Sequence, residues 1–207
     1  MSQFFEIHPD HPQARLIRQA VVILRNGGLV AVPTDAAYSL VGHVGDAKVI
    51  ERIRRIRGVD ERHHFTLMCR DLSEIAVYAK VDNAQFRLLK ATTPGPYTFI
   101  LEGTKELPRR VLHPKRKTIG LRVPDHPVIL ALLEELGEPL VSSTLLLPDE
   151  DSPLVDANDI RDRLQHDLDL VIESGPCGLD LTTVVDLTGG APELVREGKG
   201  ALRLLGL

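Results

Sequence analysis

Tryptophan is absent from these 207 residues, and aromatic side chains make up only 4% of them. Stacking platforms for single-stranded nucleic acid are therefore scarce, because each stacked base needs its own aromatic face. Three Tyr and five Phe leave room for one or two such contacts. Cysteine is nearly as rare. Cys69 and Cys177 stand far apart without a Cys-x-x-Cys partner, which argues against a zinc ribbon or a disulfide framework and fits a reduced, cytoplasmic setting. No window approaches the length of a membrane span, and no basic N-terminal region precedes a long apolar run, so neither a spanning segment nor a secretory leader is expected.

Several motifs are missing as well. There is no Gly-x-x-x-x-Gly-Lys-Ser/Thr and no Gly-x-Gly-x-x-Gly after a strand, so a bound nucleotide must be held by other means. His-Glu-x-x-His is absent, and the tandem pair His63-His64 has the wrong spacing for two ligands on one helix face, so no protein-ligated metal is expected. Without Gly-x-Ser-x-Gly or a cysteine beside an activating base, hydrolysis through an acyl-enzyme lacks its nucleophile.

What is present is a chain with 43% hydrophobic and 26% charged residues, enough for one well-buried core in a single domain over 1–207, with its body at about 14–200. The net charge of -4 hides a segregation. Arg52, Arg54, Arg55, Arg57, Arg62 and Arg70 fall in one segment. Lys105, Arg109, Arg110, Lys115, Arg116, Lys117 and Arg122 fall in another, and acids gather later, between Asp149 and Asp169. This distribution permits a basic concavity on an acidic protein, the surface a phosphate-bearing ligand needs.

The apolar run Leu29–Val32 reads as a buried strand stopped by Pro33, after which Thr34, Asp35 and Tyr38 stand at the strand's mouth. Before it, Asp10 ahead of His11-Pro12 reads as an N-cap, and the apolar spacing from Leu16 to Leu24 predicts a helix ending at Gly27-Gly28. Asp46 caps a second helix that ends at Gly58. Further helices are predicted after Asp71 or Ser73, from Asp82 to Lys90, from Pro127 to Leu136 and from Asp156 to Leu164. Strands are predicted at Phe65–Cys69, Tyr97–Leu101, Thr118–Val123, Pro139–Thr144, Leu168–Glu173, Thr182–Leu187 and Leu194–Arg196. Helices and strands alternate early and strands cluster late, which favours a twisted, open, mixed α/β sheet with flanking helices over a purely parallel barrel. The acidic, proline-bearing loop Leu147–Val155 is the expected lid.

Many of these strands end on hydroxyls, phenols or guanidinium groups: Thr34, Tyr38, Thr98, Thr118, Arg122, Ser142 to Thr144, Thr182, Thr183 and Arg196. Singly, each is an ordinary strand-end residue. Together they describe a pocket for an anionic, polyoxygenated ligand such as a nucleoside triphosphate.

The same residues resemble, over nearly the whole chain, the YrdC/Sua5/TsaC superfamily, and most closely its YciO branch. The family's Pro-Thr-Asp-Thr-x-Tyr-Gly is similar to Pro33-Thr34-Asp35-Ala36-Ala37-Tyr38-Ser39, its Lys-x-Arg to Arg55-Ile56-Arg57, and its Pro-Gly-Pro-x-Thr to Pro94–Thr98. Arg122-Val123-Pro124, Thr182–Asp186 and Arg196-Glu197-Gly198 follow in the family's order. The resemblance implies a single YrdC-like domain around a large basic cavity. It also implies binding of ATP with Mg²⁺, L-threonine and bicarbonate, and synthesis of L-threonylcarbamoyladenylate for the N6-threonylcarbamoyl group of adenosine 37 in tRNA. By the same resemblance Arg55, Arg57, Thr118, Ser142, Ser143 and Arg196 face the nucleotide, while Thr34, Tyr38, His64 or its neighbour His63, Arg122 and Thr182 face threonine. Arg55, Arg57 and Arg122 would carry the catalysis. The alternative is a double-stranded RNA or tRNA-binding paralogue without synthase activity, using Arg54, Arg109, Arg110, Lys115, Arg116 and Lys117. Four departures stand out: Arg55 for lysine, Ala36 and Ser39 in the first motif, and Ser143-Thr144-Leu145 for Ser-Ala-Asn.

Overall fold

A computed structural model describes residues 1–206. The strands are β1 (Gln3–Glu6), β2 (Val30–Val32), β3 (Ser39–His43), β4 (Thr66–Met68), β5 (Tyr97–Glu102), β6 (Thr118–Arg122), β7 (Leu140–Thr144), β8 (Leu170–Glu173), β9 (Thr183–Asp186) and β10 (Glu193–Arg196). They form one mixed sheet in the order β1-β8-β2-β3-β7-β4-β6-β5-β9-β10. The helices are α1 (Ala14–Arg25), α2 (Ala47–Arg57), α3 (Leu72–Tyr78), α4 (Asn83–Thr92), α5 (Pro127–Leu136) and α6 (Ala157–Leu164). None of the helices is long and apolar enough to cross a membrane.

Two apolar layers follow from strand alternation, because neighbouring residues on a strand point to opposite faces. Val30 and Val32 pack with α1 and α5, whereas Leu29 and Ala31 belong to the layer that holds Val49, Ile50, Ile53 and Ile56 of α2. The inner face of α2 is thus buried. Asp46 caps this helix by accepting from the amides of Lys48 and Val49, and Gly58 ends it in the left-handed region at φ 62°, as the sequence predicts. Gly42 of β3 lets α2 approach closely, since a Cβ there would collide with Cγ1 of Val49.

Three expectations need correction. Asp10 does not cap α1: the helix begins after Gln13 with no side-chain cap. The amides of Asp10 and His11 donate instead to Nδ1 of His8, which folds this stretch into a separate turn. Strands β1 and β3 lie outside the predicted set. β1 has no sheet partner near it in sequence and pairs with β8, and β3 returns antiparallel to β2 directly after the Pro33 turn. The 147–155 loop is tied down rather than left as a free lid. The amide of Leu154 donates to the carbonyl of Leu145 at 3.1 Å, and Glu150 pairs with Arg163 at 2.7 Å.

The β2–β3 turn is closed by its own hydroxyl. Thr34 Oγ1 accepts from the amide of Ala36 at 3.0 Å and donates to the carbonyl of Ala37 at 2.8 Å. This presents the Asp35 carboxylate to the guanidinium of Arg122 at the end of β6, an ion pair whose side chains are only 11% and 5% exposed. Burial pulls the Arg122 pKa down and Asp35 opposes that pull. Removing one partner of such a pair leaves a charge stranded out of water. Asp35→Ala should therefore lower the unfolding free energy by about 3–5 kcal/mol, read from the urea midpoint, and pairing it with Arg122→Met should recover most of the loss.

Candidate functional site

A cavity of about 560 Å³ opens where the ends of β3, β7, β4 and β6 meet the segment leading into β9 and the last strand, β10. Its polar lining includes Arg57, His63, Arg122, Ser143, Thr182 and Arg196, and Leu181, Val184, Val195 and Ile100 add an apolar wall. The central position of β7 follows from its antiparallel pairing with both β3 and β4. Gly120 of β6, opposite Thr66, keeps the floor low, since a Cβ there would come within 2.8 Å of the Thr66 hydroxyl.

Arg57 enters from the C-terminal end of α2. Its Nε donates to Ser143 Oγ at 3.2 Å, and Nη1 donates to the carbonyl of Leu146. Burial and the neighbouring Arg196 charge both lower its pKa. Arg196 is held from the other side through the carbonyl of Thr182, with Nη2 at 2.9 Å. Among the described residues, Arg57, Arg62 and Arg196 have no carboxylate in ion-pair reach, although nine other Lys and Arg side chains do. Like charges that converge without counter-ions favour an anion between them.

His63 also lines the cavity, with Nε2 3.1 Å from Ser143 Oγ. Burial, followed by the charge of Arg57, pushes its pKa down to about 4. His64 sits beside it with Nε2 3.2 Å from Thr118 Oγ1 and stacks on His113 at 4.7 Å. Its pKa is lowered by burial and then by His113. Thr182 Oγ1 shares a 2.9 Å hydrogen bond with Thr98 Oγ1.

The cavity brings together Arg57, His64, Arg122, Ser142, Ser143, Thr182 and Arg196 of the residues singled out in the sequence. Thr34 and Thr118 stand behind the lining, bonded to Arg122 and His64. Two others lie elsewhere. Arg55 is 66% exposed and paired to Asp167 at 2.9 Å, because residues two apart on a helix do not share a face. Tyr38 is buried, its hydroxyl donating to the carbonyl of Ile172 at 3.0 Å, and this burial pushes the phenol pKa far up.

Arg54 is not a free basic group either. It pairs with Glu51 at 2.6 Å and its guanidinium lies over the ring of Phe65 at 5.5 Å. Arg109, Arg110, Lys115, Arg116 and Lys117 are exposed. The sequence assigns no role to Arg62 or Ser39 and leaves open whether His63 or His64 fills the family's histidine position. The signal for His63 was its place beside His64, and the signal for Arg62 was its place in the basic segment.

Comparison with known proteins follows the same lines. The family model for Sua5, YciO and YrdC, described as Telomere recombination, matches residues 22–198. The uncharacterized protein YciO of Escherichia coli (strain K12) is 55% identical over 203 residues, 98% of each chain. A crystal structure of E. coli YciO superposes with a TM-score of 0.96 over 99% of this chain and 100% of that one. The threonylcarbamoyl-AMP synthase of Mus musculus is 32% identical over 190 residues, 88% of this chain and 66% of that protein. P. abyssi Sua5 complexed with L-threonine is 26% identical, with a TM-score of 0.87, and this chain spans 58% of its length. By the family model over residues 22–198, by sequence identity and by superposition on E. coli YciO, the chain belongs to the Sua5/YciO/YrdC family.

Proposed function

We propose that this protein binds ATP and an amino acid in the cavity and catalyses a threonylcarbamoyl-AMP synthase-type reaction. The observation that carries the reading is the pair Arg57 and Arg196, which converge on Ser143 and Thr182 without a carboxylate partner. Two guanidinium forks so placed suit the oxygens of a triphosphate. The relatives support the rest. The mouse relative is a threonylcarbamoyl-AMP synthase, and P. abyssi Sua5 is complexed with L-threonine.

In this reading the amine of L-threonine combines with bicarbonate, with loss of water, to give a carbamate, whose oxygen attacks the α-phosphorus of ATP and expels pyrophosphate. Such a displacement needs positioning and neutralisation of charge rather than a covalent nucleophile. Arg57 and Arg196 hold phosphate oxygens, Ser143 supplies a hydroxyl between them, and Arg122 stands on the floor where a carboxylate is received. The lining contains no Asp or Glu, so Mg²⁺ enters bound to the triphosphate oxygens. Setting is expected to be the cytoplasm, where ATP and tRNA are available.

The second reading, a structured-RNA binder, is favoured by the exposed run Lys115-Arg116-Lys117, which follows His113 where it stacks on His64 at the cavity. Affinity for a tRNA should then fall steeply with salt as counter-ions are released, and a flat response removes this reading.

Incubation with ATP, L-threonine and bicarbonate should release pyrophosphate only when all three are present. Arg57→Ala should cut kcat/KM by about tenfold or more, as expected for a lost charge on a transferring phosphoryl group. Arg55→Ala, on the opposite face of α2, should stay within about twofold. Pyrophosphate release without threonine, or equal loss in the two variants, overturns the assignment.

A further inference from the structure

We propose that polyphosphate binding in the cavity is coupled to proton uptake by His63, which turns the Ser143 hydroxyl from His63 toward the bound anion. The proposal rests on the nucleotide reading only for the identity of the anion.

The geometry begins with a shared hydroxyl. Ser143 Oγ accepts from Arg57 Nε at 3.2 Å and lies 3.1 Å from Nε2 of His63. A serine hydroxyl has one proton to give and two lone pairs. With one lone pair on Arg57, its proton is free for His63, whose Nε2 then accepts and whose ring is neutral with its proton on Nδ1.

The charges around the ring explain that state. Arg57 and Arg54 face it from α2, His64 adjoins it, and Asp60 in the preceding turn opposes them. Arg62 and Arg196 share the cavity, while the Phe65 ring, 5.5 Å away edge to face, contributes no counter-charge. Burial, then Arg57, His64 and Arg54, keep the free ring neutral down to about pH 4.

A polyphosphate reverses the sign of the local field. The imidazole then takes one proton from solvent, Nε2 becomes a donor, and Ser143 Oγ accepts from both Arg57 and His63. Its own proton is released to bond a phosphate oxygen. One proton is gained, one hydrogen bond reverses direction, and Arg57 keeps its place. The linkage has a definite sign. The pKa of His63 is higher in the complex than in the free protein, so affinity rises as pH falls through the bound-state value and levels off below the free-state value near 4.

The test reads the histidine ring resonances of the wild-type chain by NMR between about pH 3 and about pH 8, a range that spans the free-state midpoint and the ordinary imidazole one, with no anion, with inorganic tripolyphosphate and with Mg-ATP. His63→Gln and His63→Asn provide the assignment. The His63 midpoint should rise by about one unit or more with tripolyphosphate. The affinity of the wild type should grow by up to about tenfold per unit of falling pH relative to His63→Gln, a comparison in which the ligand's own protonation cancels.

The proposal is overturned if tripolyphosphate binds while His63 stays on its free-state curve, if His63→Gln keeps the full pH dependence, or if tripolyphosphate does not bind. If tripolyphosphate shifts His63 but Mg-ATP does not bind, the coupling stands and the nucleotide reading falls.

Discussion

Burying the Arg122 guanidinium at the end of β6 obliges the chain to deliver a carboxylate to the same place, and much of the local architecture serves that delivery. Pro33 stops β2 before the turn, Thr34 folds the turn onto itself, and Asp35 is left facing Arg122. Two later segments close over the turn. Lys199 donates to the Asp35 carbonyl at 2.6 Å, and the Cys177 thiol lies 3.5 Å from the carbonyl of Ala36. The ion pair therefore ties the first hairpin to the middle of the sheet, and the backbone of the same turn receives the C-terminal crossing. One atom of each partner, Asp35 Oδ2 and Arg122 Nε, is buried without a protein hydrogen bond, so the floor of the cavity keeps some polar capacity.

The cavity above this floor is electropositive because of how the elements end rather than because of the total charge, which is negative. The left-handed cap at Gly58 halts α2 just after Arg57. Strand β7, paired on both sides, fixes Ser142 and Ser143 in the centre, and the antiparallel return from β9 to β10 brings Arg196 back against Thr182. Arg57 and Arg196 are each held by carbonyls or hydroxyls instead of carboxylates, which fixes their positions without cancelling their charge.

Much of this was legible in the sequence. Asp46 and Gly58 carry mechanisms that act within one turn of chain, so α2 could be bounded from either end. Pro33 and the hydroxyls after the apolar runs marked the strand mouths for the same reason. Longer-range facts were hidden. β1 is only four residues long and has no partner until β8. Nothing near Tyr38 announces that its hydroxyl finds the carbonyl of Ile172, 134 positions away. Arg55 is a different case. Its motif suggested a pair acting together with Arg57, while helical periodicity already set the two on different faces. The periodicity was the better guide.

The departures from the synthase pattern look different once they are placed in the fold. Arg55 in place of lysine turns to Asp167 outside the cavity, so this exchange leaves the cations of the lining unchanged. Leu145, where the synthases carry Asn, is fully buried, with its backbone bonded to Tyr38 and Leu154, while Ser143, Thr144 and Leu146 line the cavity around it. An amide at position 145 would need a partner inside an apolar layer, and leucine removes that need. Ala36 contributes its backbone amide to Thr34, and any side chain can supply that amide. Ser39 and Thr144 among these positions border the cavity, each adding a hydroxyl, where the family has glycine and the synthases alanine. The departures therefore fall on the outer surface of α2, in the supporting layer and at two added hydroxyls, and the cationic set of Arg57, Arg122 and Arg196 is untouched by them.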